Sequence, residues 1–270
     1  MAFIIKERAH SFDVFDGDRL FTSVVYEPDF VRPFMGPVYT SFGDSFTRFE
    51  PFHREHPHQR SVFVGIGDVN GVDFWNEVGE NKGKMVLDSI LRAEGGEKAT
   101  ISVKLIWKTI DSERPLVDEI RTICFEKTAD CIAVSLHLKF IAAYGDVTFG
   151  ETKEAGPLGI RVADALRVDD GNGTFVNSEG GINEEQCWGK VAKWCNYYGT
   201  LSGRIVGIAA YDRKNNPRYP TAWHIRDYGL MAANNLFFKG PEHISAGETL
   251  EYDYLICFWE DSFDPKQYED

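Results

Sequence analysis

From Ala99 to Trp107 every second residue is apolar: Ala99, Ile101, Val103, Leu105 and Trp107 alternate with Thr100, Ser102, Lys104 and Ile106. Ile132, Val134, Leu136, Leu138 and Phe140 repeat the pattern, with Ser135, His137 and Lys139 opposite. So do Leu250, Tyr252, Tyr254, Ile256 and Phe258 near the end of the chain. A strand turns successive side chains to opposite faces, so each run reads as a strand buried on one side. Shorter candidates are Ser11–Phe15, Arg19–Tyr26, Ser61–Ile66, Glu119–Glu126, Gly159–Ala163, Val191–Tyr198 and Arg204–Tyr211. Turn signals separate them, among them Asp16-Gly17-Asp18, Glu94-Gly95-Gly96 and Asn215-Asn216-Pro217. Only Asn183–Trp194 could be read as a helix, and the Cys-Asn-Tyr-Tyr that follows favours a strand. A dozen or more short strands with almost no helix predict an all-β fold, a large antiparallel β-sandwich of two sheets. No linker, repeat or heptad interrupts residues 1–270, so a single domain is expected.

Composition excludes several functions. Apolar residues make up 43% of the 270, enough for a sizeable core and too many for a disordered chain. Twenty-nine Lys and Arg against 42 Asp and Glu leave a formal charge of −13, which repels nucleic acid and anionic membranes alike. No apolar run approaches 18 residues, so no transmembrane helix is expected. Met-Ala-Phe-Ile-Ile-Lys-Glu-Arg lacks the regions of a signal peptide, and a cytoplasmic location follows as an expectation. The five cysteines include no Cys-x-x-Cys pair and read as buried reduced thiols.

Four segments carry residues that neither a strand core nor a solvated loop requires. The first is His53-Arg54-Glu55-His56-Pro57-His58-Gln59-Arg60. Pro57 favours an extended His56, and an extended segment would project His56, His58 and Arg60 from one face. Two imidazoles so placed suit a divalent metal, or one moves a proton while the arginine holds an anionic oxygen. The cupin metal motif fails here, because no Glu follows at the fourth position. Asp68-Val69-Asn70-Gly71-Val72-Asp73 lacks the ligands of a calcium loop and reads as a turn. The second segment, Glu151-Thr152-Lys153-Glu154, puts Glu151 and Lys153 on one face if extended, a carboxylate beside an ammonium. The third holds Trp188 and Trp194 with interleaved lysines, suited to stacking on sugar rings or to core packing. In the fourth, His224, Arg226 and Tyr228 share a face opposite Trp223, Ile225 and Asp227. Two His/Arg strands and one Glu/Lys segment, distant in sequence, are what a sheet face needs to converge on a polar ligand.

These segments resemble the PmoA-like family. The resemblance rests on His56-Pro57-His58-Gln59-Arg60, Gly67-Asp68-Val69-Asn70-Gly71-Val72-Asp73-Phe74-Trp75, Glu151 to Asp164, Trp188-Gly189-Lys190 and Trp223 to Leu230, and it spans residues 11 to 260. Gln59 departs from the pattern, in which a third histidine is common. The family carries the label methane oxygenase, an activity of an integral membrane subunit that this chain has no segment to match. The resemblance implies instead a companion of sugar-oxidising and carbohydrate-catabolic enzymes. A large sandwich with His, Arg and Glu on a concave face is also similar to the galactose-mutarotase-like supersandwich, an analogy of fold alone.

The leading expectation is a carbohydrate-active enzyme, a lyase, hydratase or epimerase that transfers a proton on an oxidised (keto) sugar or glycoside. Glu151 or His224 would be the base and His58 the acid, with Arg60 and Arg226 on the developing oxyanion and Lys153 beside Glu151. Asn70, Asp73, Trp188, Trp223 and Asp227 would bind the substrate. A divalent metal, where one is used, would sit on His56, His58, Glu151 and His224, and no nucleotide cofactor is expected. The rivals are a non-catalytic sugar-binding sandwich, with Trp188, Trp194 and Trp223 stacked on a ring, and a metal-dependent oxygenase.

Overall fold

The computed structural model describes residues 2–49 and 55–269. The first sheet begins with five successive strands, β1 (Phe3–Glu7), β2 (Ser11–Asp16), β3 (Arg19–Val25), β4 (Phe34–Met35) and β5 (Val62–Ile66). The chain then crosses to the second sheet for four long strands, β6 (Gly83–Glu94), β7 (Lys98–Thr109), β8 (Pro115–Lys127) and β9 (Cys131–Ile141). After the short β10 (Val147–Phe149), β11 (Ala155–Arg161) returns to the first sheet. Strands β12 (Thr174–Asn177), β13 (Trp194–Leu201) and β14 (Arg204–Asp212) extend the second sheet, and β15 (Trp223–Ile225) and β16 (Leu230–Ala233) complete the first. β17 (Glu242–Ile244) pairs with β10, and β18 (Thr249–Glu260) enters the second sheet between β14 and β9.

The result is two eight-stranded antiparallel sheets, ordered β1-β2-β3-β4-β5-β11-β16-β15 and β12-β13-β14-β18-β9-β8-β7-β6. The all-β sandwich expected from period-two alternation is what the chain forms. Every strand candidate has a counterpart in a sheet, with ends shifted by a few residues. The ambiguous Asn183–Trp194 divides: a one-turn helix α1 covers Asn183–Cys187, and β13 starts at Trp194. A second short helix, α2, covers Asn235–Lys239. Among the described residues no helix is long and apolar enough to cross a membrane.

One hydrophobic cluster joins the two sheets, and it takes Ile101, Val103, Leu105 and Trp107 from the second and Val62, Val64, Ile160, Met231, Trp223 and Ile225 from the first. Inside it lies a paired charge. Glu119 accepts from Trp107 Nε1 at 2.6 Å and from Arg121 Nε at 2.6 Å, which satisfies a carboxylate that is wholly buried. The five cysteines are free thiols, four of them buried.

Candidate active site

The opposite side of the first sheet carries the candidate chemistry. Since Val62, Val64, Ile160, Met231, Trp223 and Ile225 point into the sandwich, Phe63, Gly159, Arg161, Ala232 and His224 must point away from it. Strand register sets Phe63, Gly159, Ala232 and His224 in one row across β5, β11, β16 and β15. The small residues in the middle are a steric requirement. A Cβ on Gly159 would lie 2.7 Å from the Phe63 ring. Trp75 packs edge-on to Phe63 at 5.2 Å between ring centres, and a separate apolar cluster of Phe34, Phe63, Trp75, Leu230 and Ala232 forms on this face.

A loop carrying both histidines lies over that cluster. Residues 55–60 are not extended: His56 is left-handed at φ 46°, and the Gln59 amide donates to the His56 carbonyl at 3.0 Å. The expectation that His56, His58 and Arg60 share one face is therefore corrected, and a turn takes its place. Two buried arginines fix the turn through its main chain. Arg48 donates to the carbonyls of Glu55 and His56 at 2.8 and 2.9 Å, and Arg32 to those of His58 and Phe74 at 2.6 and 2.9 Å. His53 and Arg54 lie outside the described residues.

Within the loop His56 is stacked on Tyr228, 4.7 Å and 6° from parallel. His58 meets His56 edge-on at 5.9 Å and Trp75 at 6.3 Å. The guanidinium of Arg161 also lies against Tyr228, 4.6 Å from the ring centre. Arg161 is completely buried and donates to Gln59 Oε1 at 2.8 Å and Glu55 Oε1 at 3.1 Å. The departure at Gln59 thus has a local reason, since a side-chain carbonyl there accepts from a buried cation. Arg167 Nη1 approaches the same Glu55 carboxylate at 3.5 Å. Arg60 is held by other partners. It forms a two-pronged ion pair with Glu77 and stacks over Phe30 at 4.6 Å, so its charge is committed.

At the far end of the row, His224 Nδ1 lies 2.8 Å from the Lys153 carbonyl oxygen. A carbonyl only accepts, so Nδ1 carries the hydrogen and Nε2 presents a lone pair. Nε2 is buried and has no partner among the described residues. Burial, the largest effect, together with the nearby Arg226 and Lys153 cations, lowers the His224 pKa to about 4, against the Lys153 carbonyl, which raises it. His58 is lowered to about 4 as well, by burial first and then by Arg32. Both rings are uncharged at neutral pH. Arg226 pairs with Glu184 at 2.8 Å and lies 5.3 Å from the Tyr228 ring, which joins the His224 end to the His56 end.

The remaining expected residues separate by role. Glu151 is exposed and makes no side-chain hydrogen bond or ion pair with another described residue. Lys153 reaches His224 through its carbonyl, while its ammonium lies 3.4 Å from Glu154 in solvent. Residues 151–154 form no strand, so the face that Glu151 and Lys153 were expected to share does not exist. Asp73 holds a turn: its Oδ1 accepts from the Trp75 and Asn76 amides at 2.7 and 3.0 Å, and its Oδ2 from Lys82 at 2.5 Å. Asn70 ties two loops, donating to the Asp146 carbonyl and accepting from the Thr148 amide. Asp227 Oδ1 accepts from the Glu184 amide at 3.0 Å, at the start of α1. Trp223 is fully buried and Trp194 is 4% exposed, so neither can stack on a sugar. Trp188 is 40% exposed and packs against Phe238 at 5.2 Å.

No group of three or more His, Cys, Asp or Glu side chains among the described residues is placed to hold a metal ion. His56, His58, Glu151 and His224 therefore do not fit the ligand set expected of them. Sequence reasoning did not select Arg161, Glu55 or Trp75, and it placed Tyr228 on an extended face with His224 and Arg226, whereas β15 ends at Ile225 and Tyr228 lies in the turn that follows. Arg161 had a signal: a cation between Ile160 and Val162 in an apolar strand is a charge that must find partners indoors.

Comparison with known proteins adds a family and a weak structural likeness. No functionally curated sequence matches the chain. A heparan sulfate lyase mutant from Pedobacter heparinus is 8% identical, with a TM-score of 0.43 over 97% of this chain and 35% of the lyase. A galactose mutarotase-like protein from Lactobacillus casei is 7% identical, with a TM-score of 0.42 over 95% of this chain and 99% of its own. The corresponding figures for a putative aldose 1-epimerase from Escherichia coli K12 are 10%, 0.38, 96% and 100%. The pattern of the family of unknown function DUF6807 matches residues 11–270, and the chain belongs to that family.

Proposed function

We propose that this face is the active site of an enzyme that moves a proton on an oxidised sugar or glycoside, with epimerisation, elimination and hydration as the reactions open to it. The observation that carries the reading is His224: a buried, neutral imidazole whose Nδ1 is held by a main-chain carbonyl and whose Nε2 lone pair has no partner. A neutral ring of fixed tautomer beside Arg226 suits removal of a proton from carbon next to a carbonyl. The C–H electron pair moves into the carbonyl to give an enolate, and the Arg226 guanidinium faces the developing negative oxygen. Return of the proton to the other face inverts the centre; loss of a β-oxygen substituent from the enolate gives elimination. His58, uncharged, serves as a neutral N–H donor to a substrate oxygen rather than as a charged acid.

The sugar class itself rests on the PmoA-like resemblance. Incubation with matched pairs of glycosides and keto-glycosides, followed by NMR, tests the reading. Turnover confined to the oxidised members is expected. Binding of both without change would establish a sugar-binding module instead.

A further inference from the structure

The carbonyl that fixes His224 is itself held from elsewhere in the chain. Lys153 belongs to residues 151–154, which form no strand, so no sheet ladder sets the direction of its C=O. Asn234 sets it. This side chain is fully buried where β16 gives way to α2, and its Nδ2 donates to the carbonyls of Thr152 at 3.1 Å and Lys153 at 3.0 Å. Its Oδ1 accepts from the Phe237 amide at 3.0 Å and caps α2. The three contacts agree on one orientation of the amide, since only the NH₂ can serve two carbonyls and only the oxygen can accept. The Lys153 oxygen thus takes two donors, His224 Nδ1 at 2.8 Å and Asn234 Nδ2, one for each lone pair. The main chain leading into His224 is gripped from the same place. Ala222 donates to Asn235 Oδ1 and accepts from the Asn234 amide, both at 2.9 Å.

We infer that Asn234 is a positioning residue, which sets the tautomer and aim of the His224 ring through the Lys153 carbonyl. This rests on the reading of His224 as the base and names what prepares it. An imidazole released from that carbonyl divides its hydrogen between Nδ1 and Nε2, and an Nε2 that carries hydrogen cannot take a proton from carbon. The cap alone does not call for an asparagine, because Ser or Asp caps a helix as well. Asparagine is the residue that caps with its oxygen and still offers two donors to the neighbouring loop. That loop has other ties: the Gly67 amide donates to the Glu154 carbonyl at 2.6 Å, and the Glu154 amide to Thr152 Oγ1 at 3.2 Å. Removing the Asn234 donor therefore leaves the loop in place and frees the Lys153 carbonyl to turn.

The test is nitrogen NMR of the histidine rings in the full chain at pH 7, with the His224 signals assigned by their loss in His224→Gln. Asn234→Ser and Asn234→Asp both keep the cap and lose the paired donors. Gly240→Ala strains the other end of α2, where φ is 90°, and controls for a loosened helix. The Nδ1–H form should predominate in the wild-type protein. Each Asn234 variant should lower its ratio to the Nε2–H form by roughly fivefold or more, the worth of one hydrogen bond. Gly240→Ala and Lys153→Ala should leave the ratio unchanged. On a keto-glycoside the Asn234 variants should lower kcat at constant KM. An unaltered ratio in both Asn234 variants, or an equal change in Gly240→Ala, would overturn the assignment. The ratio is read without substrate, so the two failures are distinct. A wild-type protein that leaves keto-glycosides unchanged would refute the proton-transfer reading, while a shifted ratio would still support the hold of Asn234 on His224.

Discussion

The Lys153 carbonyl oxygen sits 2.8 Å from His224 Nδ1, and this contact decides which nitrogen of the ring is a base. It also separates two roles for Lys153. Lys153→Ala keeps the carbonyl and should alter turnover by less than about threefold, whereas His224→Gln should lower it by roughly 10²–10⁴. Steady-state rates on the substrate found by NMR check both. An equal loss in the two variants would put the ammonium itself in the chemistry.

Two depressed histidines give stability a pH dependence of known sign. The unfolded rings take up protons near 6.5, while His58 and His224 in the folded chain resist until about 4. The unfolded state therefore binds more protons between those values, and stability falls as pH drops through that window. For His224, 5% exposed, the loss is on the order of 3 kcal/mol. Urea unfolding at pH 7, 5.5 and 4.5 should show a slope that His224→Gln makes shallower. An unchanged slope would mean that His224 is not held neutral.

The buried Glu119–Arg121 pair makes a separate prediction about the core. Glu119→Leu alone strands a guanidinium inside the sandwich and should cost about 3–5 kcal/mol. The double variant Glu119→Leu with Arg121→Met removes both charges and should recover most of that loss. Denaturant midpoints of the four proteins form the cycle. A double variant no more stable than Glu119→Leu would show that the pair does more than neutralise itself.

The tryptophans distinguish core from surface. Trp223→Ala deletes a fully buried ring whose Nε1 donates to the Ala192 carbonyl at 2.9 Å, and a loss of about 3–5 kcal/mol is expected. Trp188→Ala, at a partly exposed ring, should cost no more than about 1 kcal/mol. Thermal unfolding separates the two, and equal losses would contradict the burial described.

Much of this architecture was legible in the alternation of apolar residues, because a one-sided strand writes its period into the sequence. The same alternation sets His224 opposite Trp223 and Ile225, and that phase is what turns His224 away from the core. It also implied that Trp223 is interior, a consequence that its aromatic character obscured. The loop at 55–60 was illegible for a different reason. Its shape depends on Arg32 and Arg48, which grip its carbonyls from elsewhere in the chain, and on a left-handed His56 that no local rule selects. Arg161 joins Glu55, Gln59 and Tyr228 by tertiary contact alone, so composition could suggest a buried cation but not its partners.

The most direct test of His224 as the base is solvent exchange. A keto-glycoside incubated with the protein in deuterium oxide should gain deuterium at the carbon next to its carbonyl, and His224→Gln should abolish that gain while retaining the native fold by circular dichroism. Exchange at an undiminished rate in His224→Gln, or its absence with the wild-type protein across substrates that bind, would contradict the account.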